Sequence, residues 1–170
     1  NRVYLPTQDN LRQRMGPYLP LGSASAIMLS DIYGKGNTGP FPEDMYVLCD
    51  VFKQKWPSGE KTGMPILHYR ADPNGTVHDP CWPDNPANIY DYRDNQAILE
   101  LAVPGKPSVK HPLADPKWFY EVTRSHKIKS PVRPYKANSY ILISAGKDGL
   151  YGTDDDVLFD WRPPARRRPD

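Results

Sequence analysis

Long apolar runs are missing from this sequence. The longest, residues 26–29 and 140–143, fall far short of the roughly 18 residues a membrane span needs. Charge of one sign is missing too. Lys and Arg number 22 against 20 Asp and Glu, a net of +2, which leaves no global basic field of the kind that holds nucleic acid. Cysteine is scarce: Cys49 and Cys81 are the only two, and no C-x-x-C occurs, so dithiol-redox, zinc-ribbon and c-type haem readings fall away. The pair allows one disulfide in an oxidising compartment, or one buried and one incidental thiol. H-E-x-x-H, G-x-S-x-G and P-loop motifs are absent, and His68, His78, His111 and His126 are scattered, so no enzyme class is indicated. The first six residues hold neither an initiator Met nor a signal-peptide core, as expected of a processed or truncated chain.

What is abundant is punctuation. Proline and glycine make up 32 of 170 residues, which rules out long helices. Eleven Tyr and four Trp argue against disorder, because such rings need partners to pack on. The expectation is an α+β domain of short elements, a small antiparallel sheet and long proline-stiffened loops. One domain is expected over 1–161, with an irregular arm at 1–40 and a basic, disordered tail at 162–170.

Element by element, a short helix is expected at 8–15. A second is expected after Pro42, where Met45, Leu48, Cys49, Phe52 and Trp56 share one helical face and Pro57 and Gly59 stop it. Residues 64–70 read as a strand, 72–75 as a turn, and 76–93 as a long loop followed by a short helix capped by Asp94. Asp115-Pro116 pairs an N-cap with Pro at N1 and starts a helix burying Phe119 and Val122, with Trp118 beside them. Residues 139–145 are the strongest strand, and 157–161 return as another.

One segment carries chemistry. Residues 144–160 hold five Asp against one Lys, a local charge of −4, whereas 161–170 carry +3. Neighbouring carboxylates repel when folded together, and Gly146, Gly149 and Gly152 allow sharp turns that aim carbonyls inward. Carboxylates and carbonyls in a pliable loop are the hard oxygens Ca²⁺ takes. Alternatively, the segment is an empty, solvated turn. It is not an EF-hand: counted from Asp148 the twelfth residue is Phe159, and from Asp154 it is Ala165, where a bidentate Glu belongs.

The run from Tyr140 to Trp161 resembles the C-terminal segment of type II secretion major pseudopilins: a strand, Gly-Lys-Asp-Gly, a short acidic loop, Asp-Asp-Val and a Trp close by. Residues 63–70, 88–96 and 111–113 are similar to segments of related prepilin-like proteins. The resemblance implies a pilin-like domain and a Ca²⁺ site held by the side chains of Asp148, Asp156 and Asp154 and the carbonyl of Ala145, with Asp155 pointing outward. It implies a structural, non-enzymatic subunit at the cell envelope, periplasmic or on the cell surface. Its partners would be copies of itself, other pseudopilins or secretion-system components, with no nucleic acid. Family members begin with a hydrophobic helix that anchors the precursor in the membrane. No such helix stands in this sequence, so membrane attachment would come only through that missing element.

Other features read more plainly. His78-Asp79-Pro80-Cys81 offers a weak transition-metal pattern, Asn74-Gly75-Thr76 is a sequon inside a turn, and Arg166–Arg168 read as a solvated end, or else as a contact for an anionic surface or a neighbouring subunit. Trp82, Tyr90 and Tyr92 pin their loop to the core, or else form a sugar-binding or subunit-contact platform. The second functional expectation is therefore a secreted adhesin or glycan-binding module that uses the acidic loop for stability only.

Overall fold

The computed structural model describes residues 26–56, 59, 61–128 and 130–158. The helix expected at 8–15, the basic tail and the last residues of the final strand lie outside them.

The chain folds as α+β. The central sheet has three antiparallel strands in the order β5-β6-β7: β5 (Leu67–Arg70), β6 (Tyr140–Ser144) and β7 (Val157–Leu158). Its register sets Leu67 opposite Ile143, Tyr69 opposite Ile141, and Ile143 opposite Leu158. Those five side chains are buried, while His68, Arg70 and Tyr140 face solvent, the alternation of a sheet covered on one side. Helix α3 (Pro116–Val122) supplies the cover, with the Phe119 ring 4.7 Å from that of Tyr69. Asp115 caps this helix, its carboxylate accepting from the Lys117 and Trp118 amides, an arrangement worth about 1 kcal/mol. Phe119 and Tyr120 are buried, whereas Val122 is only half-buried.

Smaller pieces surround this core. A two-stranded sheet pairs β1 (Ala26–Met28) with β2 (Tyr46–Leu48), and helix α1 (Leu29–Tyr33) follows β1 directly. A hairpin pairs β3 (Gln54–Lys55) with β4 (Lys61–Thr62). A 3-10 turn (Tyr92–Asn95) runs into helix α2 (Gln96–Leu99) and is capped by Asp91 rather than by the expected Asp94. A second 3-10 turn (Pro112–Ala114) precedes α3.

The helix expected at 45–56 does not form. The segment instead runs extended between two partners. β2 pairs with β1 on one side, and on the other Ile66 N–H donates to the Leu48 carbonyl and Asp50 N–H to the Met64 carbonyl. Cys49 and Trp56 are buried as expected, but Met45 and Leu48 are exposed. Non-local pairing outweighed a helical period that five apolar residues happened to satisfy.

The aromatic loop is pinned from below. Tyr90 is fully buried and its hydroxyl donates to the carbonyls of Tyr135 and Lys136, while Tyr120 reaches the Tyr90 carbonyl. Trp82 remains exposed. Cys49 is buried, Cys81 is exposed, and both are free thiols.

Candidate metal centre

The acidic loop is the connection from β6 to β7. Ser144 and Ala145, at its start, are both buried. The Ser144 hydroxyl donates to Asp50 Oδ2 at 2.7 Å, tying the end of β6 to the segment after β2. Burial raises the Asp50 carboxyl above its ordinary range, partly offset by the Ser144 hydroxyl and by backbone groups of Phe52, Met64 and Ala145.

Three glycines at positive φ bend the loop. At Gly146 (φ 64°) a side chain would collide with the backbone of Asp155, and at Gly152 (φ 94°) a Cβ would lie 2.6 Å from the Leu113 amide nitrogen. Between them, Tyr151 anchors the loop. Its ring is fully buried, its hydroxyl donates to the Pro65 carbonyl, its amide donates to His111 Nδ1, and its carbonyl accepts from Leu113 N–H. The Trp118 indole donates to the Gly152 carbonyl at 2.9 Å, and Gln54 reaches the Lys147 carbonyl. The loop is thus bolted to α3, to the preceding 3-10 turn and to the hairpin.

Each expected ligand has a definite place. Ala145 is fully buried where β6 ends. Asp148 is half-buried, with Oδ1 accepting from Leu150 N–H at 2.8 Å. Asp154 is exposed at the tip. Asp156 is 5% exposed, and its oxygens accept from Gly152 N–H at 2.6 Å and from the Thr153 hydroxyl at 3.3 Å. Burial pushes its carboxyl up to about 7; hydrogen bonds from Gly152 and Thr153 work against this, and the nearby Asp148 charge adds to it. The structure therefore brings Asp148 and Asp156 within electrostatic reach of each other.

Asp155 does not point away from the loop. Its Oδ2 accepts from the Lys147 and Asp148 amides at 2.7 and 3.2 Å, and Oδ1 accepts from the Thr153 hydroxyl at 2.8 Å. Burial acts to raise its carboxyl, but these hydrogen bonds win and hold it below the ordinary range. Asp155 closes the loop across its mouth, because backbone donors freed by the Gly146 turn need an acceptor. Asp50 joins the site through its bond to Ser144, from a segment whose local sequence pattern is helical and gives no sign of that contact.

The loop gathers several carboxylates, backbone carbonyls and one buried acid, Asp156. Among the described residues, Asp148, Asp155 and Asp156 lie within ion-pair distance of no Lys or Arg. No group of three His, Cys, Asp or Glu side chains that could hold a metal ion is found among the described residues, and Asp155 and Asp156 accept hydrogen bonds from the loop's own amides and hydroxyl.

Comparison with protein-family models, with curated proteins and with solved structures finds no match to this chain.

Proposed function

We propose that this chain is a structural, non-catalytic subunit of a pilin-like filament at the cell envelope, of the type II secretion pseudopilus kind, and that calcium steadies its β6–β7 loop. The observation that carries the reading is Asp156, a buried carboxylate beside a second acid in the loop that returns the chain to the sheet. The described part of the pseudopilin-like run, residues 140–158, spans this same strand, loop and returning strand. Asp148, Asp154 and Asp156 and the Ala145 carbonyl are the proposed donors. Bound there, calcium would neutralise charges that otherwise repel, and its binding energy would add to the stability of the folded loop.

Assembly tests this reading. Expressed from its full reading frame, the protein is expected in filaments sheared from the cell envelope and visible by electron microscopy. An Asp156→Asn chain that folds but resists calcium loading is expected to give fewer. Recovery of the full-frame product only as a dispersed monomer would overturn the filament reading.

A further inference from the structure

Two depressions share one wall, made by Arg70, Ala71 and Pro73 where β5 runs out into the turn at 72–75. The first encloses about 600 Å³ between that turn and the segments 83–86 and 91–94. Its volume lies within the roughly 300–1,000 Å³ of small-ligand clefts. The second, of about 510 Å³, lies over the solvent face of β5 and β6, beside His68 and Tyr140.

The first depression is pre-formed. Beneath it the Asp72 amide donates to the Ile89 carbonyl at 2.7 Å, and the buried Tyr120 hydroxyl donates to the Tyr90 carbonyl at 2.8 Å. Pro73, Pro83 and Pro86 stiffen the rim, so little backbone freedom is left to lose on binding. Its open polar groups are of both kinds. Among the described residues the Arg70 guanidinium makes no ion pair. Asn85 uses Oδ1 on the Ala87 amide and keeps its Nδ2 donors. Asp72 uses Oδ1 on the Asn74 amide and keeps Oδ2 as an acceptor, with the exposed Asn74 side chain next to it. A phosphate calls for donors and an ammonium for acceptors, whereas a hydroxyl donates and accepts at once.

Charge points the same way. Arg70 and Arg93 stand against Asp72, Asp91 and Asp94, a net of −1, and Arg93 is already neutralised by a two-point pairing with Asp91. No field is left to draw in a polyanion. The second depression adds a flat ring: Tyr140 is 45% exposed, with its centroid 5.5 Å from that of His68. Such a surface stacks against the C–H face of a sugar. Tyr90, fully buried, offers none.

We propose that the paired depressions bind a neutral polysaccharide, with successive sugar units on either side of Arg70. A single sugar occupies one depression, and only a chain of several units reaches the hydrogen-bonding side and Tyr140 together. The inference goes beyond the filament reading and does not rest on it.

The test titrates the full-length chain with cellohexaose, maltohexaose, mannohexaose and chitohexaose to about 10 mM while side-chain amide and aromatic NMR signals are followed. At least one is expected to shift Asn74, Asn85 and Tyr140 together, and its monosaccharide should bind at least about tenfold more weakly. Arg70→Ala and Tyr140→Ala, both at exposed positions, should each weaken binding at least about tenfold with little change in melting temperature. Lys106→Ala, outside both depressions, should leave it intact. Silence toward every hexasaccharide, binding undiminished by either substitution, or a preference for dextran sulfate over dextran would overturn the inference and leave the filament reading standing. A monosaccharide that binds as tightly as its hexasaccharide and leaves Tyr140 unmoved would overturn the paired groove.

Discussion

Acidification from pH 6.5 to 4 is expected to cost the folded state about 3 kcal/mol at each of two buried histidines. His78 and His111 are 3% and 1% exposed, and burial lowers both to about 4. His78 Nε2 donates to the Tyr120 carbonyl at 2.8 Å and its Nδ1 has no partner; Arg124 lowers its pKa further, while the Tyr120 carbonyl and Asp79 act to raise it. His111 accepts the Tyr151 amide on Nδ1, which puts its proton on a buried Nε2 with no partner. Above pH 6.5 both rings are neutral whether folded or not. Below it the unfolded chain takes up protons that the folded chain refuses until about pH 4, so stability falls across that window. Asp156 works in the opposite direction, because its folded pKa of about 7 lets the native state bind a proton the unfolded chain does not hold until about pH 4. It returns about 3 kcal/mol over the same window, so the wild-type slope is a partial cancellation. Differences between variants isolate the histidines. His78→Gln preserves the donor at Nε2 and His111→Asn the acceptor at Nδ1, and each should flatten acid destabilisation by about 3 kcal/mol in denaturant titrations at pH 7 and pH 4. Profiles parallel to the wild type would contradict the assignment.

Gly152→Ala is expected to cost at least about 2 kcal/mol, which for a chain of this size lowers the melting temperature by roughly 4–8 °C. Two penalties combine there. The backbone at φ 94° strains any side chain, and the new Cβ would press on the Leu113 nitrogen, which cannot move without breaking its bond to the Tyr151 carbonyl. Gly36→Ala provides the comparison. It has a similar φ of 78° but open space around the Cβ position, so only the backbone penalty of about 1 kcal/mol applies. Equal losses at the two sites would mean that the loop is not docked on the 3-10 turn as described.

The parts of this fold legible in the sequence are those decided locally. Residues 139–145 announce a strand because apolar and β-branched side chains leave little else for them to do, and β6 lies within that span. Asp115-Pro116 announces a helix start because the carboxylate can accept the first amides without help from elsewhere. The region 45–56 misled because its partners are remote: β1 lies upstream and Met64–Ile66 downstream, and neither is visible in a local period. The same limit governs the site. Composition reveals four acids in one glycine-rich loop, yet which acid faces inward depends on distant contacts, such as Tyr151 on Pro65 and Ser144 on Asp50, 94 residues away. Asp155 closes the mouth because two amides happen to converge on it.

Calcium itself tests the account most directly. Thermal unfolding of the wild type should be compared in millimolar CaCl₂, in the same concentration of MgCl₂, and in EDTA. Calcium at about a hundred times its dissociation constant adds about 2.7 kcal/mol, which corresponds to a rise of roughly 5–10 °C over EDTA. Magnesium should give much less, and Asp156→Asn should lose the response. Superimposable wild-type curves in calcium and EDTA would contradict the claim that an ion steadies the β6–β7 loop, leaving its own hydrogen bonds as the sole fastening.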